Sequence, residues 1–250
     1  MTDFAGRRVV ITGAGGGLGR SLVAAFAAAG ATVVACDLPG ADLTAATITA
    51  RHYFDLADAD ATQQAASDIL RDGAPDIVVS NAGATLADTF EGLTPAGLLQ
   101  EMDANFSGPA LFTHALIPAM RNRPNAALVF ISSVNALTHH GNPAYAAAKA
   151  ATLAWMRALA VEEGPHGIRA NAVIPASIRT HAWDQRLQAD PEMLARISRL
   201  YPLGRIVTTT EVANAVLFLA SPLASGITGT TLTVDAGLMA GNLPFLDAIR

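Results

Sequence analysis

Short apolar, β-branched runs alternate with longer stretches of helical periodicity along the whole chain. The pattern predicts strands at Arg8–Thr12, Thr32–Cys36, His52–Phe54, Asp76–Val79, Leu128–Ile131, Arg169–Ile174 and Thr231–Val234. Between them it predicts helices over Leu18–Ala29, Asp60–Asp72, Thr94–Arg121, Pro143–Glu163 and Glu211–Ala220. Gly30 and Gly73 close the first two, and Gly108 with Pro109 implies a break or kink in the third. Strands apolar throughout, separated by helices, specify a parallel sheet covered on both faces. The expected fold is a doubly wound α/β sheet of about seven strands. No linker, low-complexity tract or repeat interrupts the alternation, so residues 1–250 are expected to form a single domain. The segment 179–202 differs in texture, being more polar from Arg179 to Leu200, and is expected to be a mobile substrate lid.

Composition narrows the function classes. With 51% hydrophobic and 15% charged residues the chain can bury a large core. A net charge of −5 and scattered arginines leave no basic patch for nucleic acid or an anionic membrane. A single cysteine, Cys36, excludes an internal disulfide and fits a reducing cytosol. No segment reaches the ~20 apolar residues of a span, and the apolar run after Arg8 is too short for a signal peptide. The expected location is cytoplasmic. The histidines lack the paired spacing of a zinc site, so no metal is expected.

The polar and glycine positions collect at strand ends. Thr12-Gly13-Ala-Gly-Gly16-Gly17-Leu18-Gly19 follows the first strand and opens the first helix. Glycines there permit a tight turn and backbone approach to a pyrophosphate, which the helix N-terminus stabilises. The spacing is Gly-x-x-x-Gly-x-Gly, not the dinucleotide pattern Gly-x-Gly-x-x-Gly, and a plain glycine-rich turn is the alternative. Asp37 ends the second strand, where a carboxylate accepts both ribose hydroxyls and repels a 2′-phosphate. With no Arg or Lys in the loop or beside Asp37, NAD is expected over NADP; a turn or capping aspartate is the alternative. Asn81-Ala82-Gly83, Ser132-Ser133 and Pro175 end three further strands on the same edge.

Lys149 is the only lysine, against fifteen arginines, and follows Tyr145 by four residues. On a helix that spacing puts both side chains on one face, about 5–6 Å apart at Cβ. Free tyrosine titrates near ~10, so acid/base work at neutral pH needs roughly 4 kcal/mol of phenolate stabilisation. A cation about 5 Å away supplies ~0.8 kcal/mol in water and ~3 kcal/mol at an effective dielectric of about 20. A desolvated pair with a second cation would suffice; alone, Tyr-x-x-x-Lys reads as an ordinary surface pair.

Taken in order, Thr12-Gly-x-x-x-Gly-x-Gly19, Asn81-Ala-Gly83, Ser133 and Tyr145-x-x-x-Lys149 resemble the short-chain dehydrogenase/reductase family, in its Rossmann branch of about 250 residues. Asp55-Leu56, Asn105 with Gly108, Asn171–Thr180 and Val234-Asp235 add weaker likeness. The resemblance implies Tyr145 as general acid/base, Lys149 lowering its pKa and holding the nicotinamide ribose, Ser133 orienting the substrate oxygen, and Asn105 supporting a water relay. It implies Asp55 at the adenine, the Asn81–Gly83 backbone at the adenosine ribose, and Ile178 and Thr180 at the carboxamide. The oxidised nicotinamide would be the second cation. Asn135, His140 and Trp183 are candidate substrate contacts beside Ser133 and Tyr145.

Four departures stand out. Ser80 occupies a usual asparagine position, and Ala176 replaces a glycine after Pro175, with either crowding of the nicotinamide or a reshaped pocket expected. The short stretch between Asp37 and Asp55 is expected to reduce the usual helix to a turn, and Ser132 competes with Ser133. Alternation along a strand lets only one of the two serines face the site. The resulting expectation is an NAD-dependent dehydrogenase acting on a secondary alcohol. A 3-oxoacyl-type ketoreductase and a non-catalytic NAD-binding protein are the alternatives. A homotetramer is implied, through Thr94–Arg121, Pro143–Glu163 and the last strand with its tail.

Overall fold

Strand β1 (Arg8–Thr12) is an interior strand of the sheet and explains its layout. Its Val9, Val10 and Ile11 are fully buried, so both faces must be covered. The structure, a computed structural model, describes residues 3–180, 183, 190 and 192–249. From β1 the chain passes through α1 (Gly17–Ala28) to β2 (Thr32–Asp37) and the edge strand β3 (Ile48–Tyr53). It returns through α2 (Ala59–Arg71) to β4 (Ile77–Ser80), on the other side of β1. Helices α3 (Pro95–Met102) and α4 (Gly108–Met120) lead to β5 (Ala126–Ile131), and α5 (Pro143–Glu162) leads to β6 (Ile168–Pro175). A two-residue pair, β7 (Ile178–Arg179) and β8 (Val207–Thr208), flanks α6 (Met193–Ser198). Then α7 (Thr209–Ala220), β9 (Thr231–Val234) and α8 (Leu243–Ala248) follow.

The main sheet has seven strands in the order β3-β2-β1-β4-β5-β6-β9, and every neighbouring pair is parallel. Right-handed crossovers running outward in opposite directions put α1 on one face and α2, α4 and α5 on the other. Helix α7 packs on α1, and α2 on α4. Between β1 and β4 the winding reverses, which opens a crevice beyond their C-terminal ends.

Two elements differ from the sequence pattern. Strand β3 begins at Ile48 rather than His52, because as an edge strand it exposes alternate residues, including Arg51 and Tyr53. The long helical region divides at a π-helical turn, Asp103–Ser107, ahead of Gly108. Gly108 is required by packing: a Cβ there would stand 2.1 Å from the Leu56 carbonyl oxygen. Between β2 and β3 the chain forms turns and no helix. Of the expected lid, residues 181, 182, 184–189 and 191 lie outside the described residues. No helix among the described residues is long and apolar enough to cross a membrane.

Candidate active site

The two strand ends at the winding reversal are stitched together. Thr12, the last residue of β1, accepts at its hydroxyl from the N–H groups of Asn81 at 3.0 Å and Ala82 at 3.1 Å. In return the Asn81 amide donates to the carbonyls of Thr12 at 2.9 Å and Gly13 at 3.0 Å. The loop can lie this close only without side chains. Gly13 has φ +63, and a Cβ on Gly19 would sit 1.9 Å from the Gly13 oxygen. Helix α1 starts without a side-chain cap or an acidic residue in its first turn, so its N–H groups face an open crevice.

That crevice is a cavity of about 340 Å³. Of the expected cofactor positions, Gly13, Gly16, Gly17, Leu18, Gly19, Asp37, Asp55, Leu56, Asn81, Ala82 and Gly83 line it. Thr12, from the start of the glycine motif, completes its wall with Cys36, Leu38, Phe54, Ala84 and Ala104, five residues that the residue pattern did not single out as cofactor positions. Burial pushes the Cys36 thiol far up, so it is inert wall. Asp37 accepts from Gly15 N–H at 2.7 Å through one oxygen and from Leu38 N–H at 2.7 Å through the other. Asp55 accepts from Ala57 N–H at 2.9 Å. Arg20, one residue past the loop, folds back to donate from Nε to the Gly15 carbonyl at 2.7 Å. Its guanidinium lies 3.6 Å from Asp42.

Gly83 is the junction between this cavity and the residues beyond it. A Cβ there would meet Asn105 Oδ1 at 2.7 Å and Lys149 Nζ at 3.2 Å. The Asn105 amide donates to the carbonyls of Ala84 and Glu101, each at 2.8 Å, and its Oδ1 accepts from Ala84 N–H at 3.1 Å. Its main-chain carbonyl accepts from the Thr152 hydroxyl at 3.3 Å.

Beyond Gly83 the structure gathers Ser133, Tyr145 and Lys149. The two adjacent serines divide as strand alternation requires. Ser132 is buried and donates to the Lys149 carbonyl at 3.1 Å, whereas the Ser133 hydroxyl accepts from Asn135 N–H at 3.2 Å and acts on the Tyr145 phenol to lower its pKa. Lys149, only 4% exposed, donates from Nζ to the Ile131 carbonyl at 3.0 Å and stands 5.6 Å from the centre of the Tyr145 ring. Burial lowers its pKa to about 8. In the protein alone, burial raises the Tyr145 pKa, the Ser133 hydrogen bond opposes the rise, and the charge of Glu101 adds to it.

The remaining expected positions lie around this cluster. Pro175 ends β6, Ile178 pairs with Val207, and the Thr180 methyl fills the space that a Cβ on Gly17 would need, at 2.8 Å. Ala176 is buried, has no positive φ, and donates its N–H to the Val234 carbonyl at 3.2 Å. Asn135 donates to the Gly141 carbonyl at 3.0 Å, tying its own loop, and His140 is exposed. Trp183 packs, partly buried, against the core. Among the described residues no group of three or more His, Cys, Asp or Glu side chains could hold a metal ion.

A family profile described as Enoyl-(Acyl carrier protein) reductase matches residues 13–239. An uncharacterized oxidoreductase of Schizosaccharomyces pombe is 38% identical over 239 residues, covering 95% of this chain and 92% of that protein. Carbonyl reductase (NADPH) 2 of Sus scrofa is 30% identical over 244 residues, covering 95% and 98%. The crystal structure of an oxidoreductase of the short-chain dehydrogenase/reductase family from Burkholderia thailandensis superposes with a TM-score of 0.89 at 37% identity, covering 97% of this chain and 96% of that one. On matches that run nearly from end to end, with the glycine loop and the Ser133, Tyr145 and Lys149 cluster in place, this chain belongs to the short-chain dehydrogenase/reductase family.

Proposed function

We propose that this chain is an NAD-preferring dehydrogenase that interconverts a secondary alcohol and its ketone, with Tyr145 as the general acid/base. The observation that carries the reading is the meeting of a serine hydroxyl, a phenol and a buried ammonium just past Gly83, at the end of a glycine-lined crevice. The residues present fit a nicotinamide dinucleotide. The glycine-rich loop and the uncapped start of α1 suit its pyrophosphate, and the Asp37 carboxylate suits a ribose diol. When bound, the nicotinamide supplies the hydride acceptor or donor. Tyr145 takes the hydroxyl proton of the alcohol, or returns it to the ketone oxygen, and Ser133 holds that oxygen by a hydrogen bond. Lys149 favours the phenolate by its charge and keeps the phenol oriented through its anchor on Ile131. Asp37 disfavours a 2′-phosphate, and Arg20 does not reverse this because its charge is shared with Asp42. We also place the chain in a homotetramer, as the family resemblance implies.

The test is a screen of secondary alcohols and sugars with NAD and with NADP, following the reduced nicotinamide. Turnover with a clear advantage for NAD is expected; equal catalytic efficiency with both cofactors would sink the preference. The name of the pig relative and the description of the family profile favour a second reading, a ketoreductase working in the reducing direction. A marked preference for NADPH would select it.

A further inference from the structure

Helix α3 is packed inside out. Leu98 and Leu99 are 39% and 65% exposed, whereas Glu101 is 1% exposed. A buried carboxylate ordinarily needs a cation. Glu101 is instead hydrogen-bonded by main-chain N–H groups. One oxygen accepts from Leu86, in a short contact, and from Ala87 at 3.4 Å; the other accepts from Tyr145 N–H at 3.1 Å. Tyr145 lies in the first turn of α5, whose own capping position, Asn142, makes no side-chain cap and sits in the left-handed region at φ 53. Glu101 therefore caps the catalytic helix from another element. The positive end of α5 offers the compensation that a partner cation would otherwise supply.

We propose, resting on the reading of Tyr145 as the acid/base, that Glu101 is a positioning residue: it locks the segment after Gly83 to the first turn of α5 and opposes, by its charge, the ionisation of Tyr145. The segment is held at neighbouring points as well. Asn105 binds Ala84, and Asn142 donates to the Ala87 carbonyl at 3.2 Å and to the Asp88 carboxylate at 3.1 Å. Groups acting on the phenol come from three elements: Ser133 after β5, Glu101 from α3 and Lys149 from α5 itself. Glu101 and Lys149 thus pull the proton equilibrium of Tyr145 in opposite directions, and the position of the balance sets the working pH.

The test compares wild type with Glu101→Gln and Glu101→Asp. Tyrosinate absorbance is titrated without substrate, with Tyr145→Phe identifying the Tyr145 step among the three tyrosines. In Glu101→Gln the Tyr145 step is expected to move to lower pH by roughly half a unit to one unit. The rising limb of kcat/KM for alcohol oxidation should follow it, and kcat at the plateau should fall about tenfold while the cofactor Kd changes less than about threefold. Glu101→Asp keeps the charge and withdraws it by one methylene. Its titration should stay near wild type while kcat falls, and this variant carries the test if Glu101→Gln does not fold. An unmoved Tyr145 step in Glu101→Gln, or wild-type kcat in Glu101→Asp, overturns the proposal. Because the titration needs no turnover, the two readings fail separately. A moved Tyr145 step in a protein that oxidises no alcohol supports Glu101 and defeats the proposed function; turnover with an unmoved step defeats Glu101 alone.

Discussion

At the Asp37 end of the crevice the chain presents backbone; at the Tyr145 end it presents side chains. The first is made of glycines, strand termini and an open helix start, cross-linked by Thr12 and Asn81. Its shape follows from main-chain geometry, and a stray Cβ is its main hazard. The second has Ser133, Glu101 and the Tyr145–Lys149 pair delivered by three separate pieces of chain, with two buried charges among them. Charge placement governs it, and burial works against both the ammonium and the phenolate. A region made of backbone holds a ligand by fit. A region made of buried charges is poised for proton transfer and costs stability.

The sharpest way to separate the two ends is Tyr145→Phe. It should lower kcat/KM by roughly 10³-fold, as loss of a general acid/base does, while the cofactor Kd stays within about twofold. A matching loss of cofactor affinity would mean that the ends are not independent. Lys149→Ala comes next, with a loss of roughly 100-fold near neutral pH from the ~3 kcal/mol that its charge supplies. The deficit should shrink as pH rises past about 8, where the wild-type ammonium itself deprotonates. Lys149→Arg should be no better, since Gly83 and Ile131 leave no space for a planar fork. A near-normal Arg variant in a pH–rate profile would show that charge alone suffices.

Stability should move the other way. With its folded pKa near 8, below that of the unfolded chain, Lys149 penalises the fold fully below pH 8. As pH rises from there towards the ordinary lysine range, the folded state sheds the proton first and the penalty fades. Lys149→Met should therefore be more stable than wild type by up to roughly 3 kcal/mol at neutral pH, with the difference shrinking in alkali. Denaturant melts across that range would check it, and a constant difference would rule it out. The smallest effect is expected at the other end: Asp37→Ala should narrow the discrimination between NAD and NADP by about tenfold without changing kcat on NAD. A large kcat loss would show that Asp37 reaches beyond the ribose.

The backbone end was the more legible of the two in the sequence. Glycine at positions 13, 16, 17 and 19, directly after a strand, marks a turn that must stay free of side chains, and Asp37 and Asn81–Gly83 fall where parallel strands must end. The strands themselves were legible where both faces are buried, and least so at β3, whose exposed face is polar. At the other end the single lysine and its tyrosine stood out by composition and spacing. Glu101 did not, because it reads as a solvated helix residue close behind two leucines. Only long-range packing, across the 44 residues that separate it from Tyr145, turns it inward. Arg20 escaped for a similar reason: its side chain folds backwards over the loop it follows.

A chain with one lysine has one bond that a lysine-specific endopeptidase can cut. Here that bond follows Lys149, inside α5 and behind a side chain that is 4% exposed. Proteases need an extended, accessible strand of substrate, so cutting requires this helix to open. When reclosing is fast, the cleavage rate measures the population of that open state. The products are two fragments of known length, with no second site to confuse them. The residue that marks the active site thus also makes a one-bond gauge of how often the active-site helix comes apart, and a ligand that binds only the closed form should slow the gauge in proportion to its occupancy.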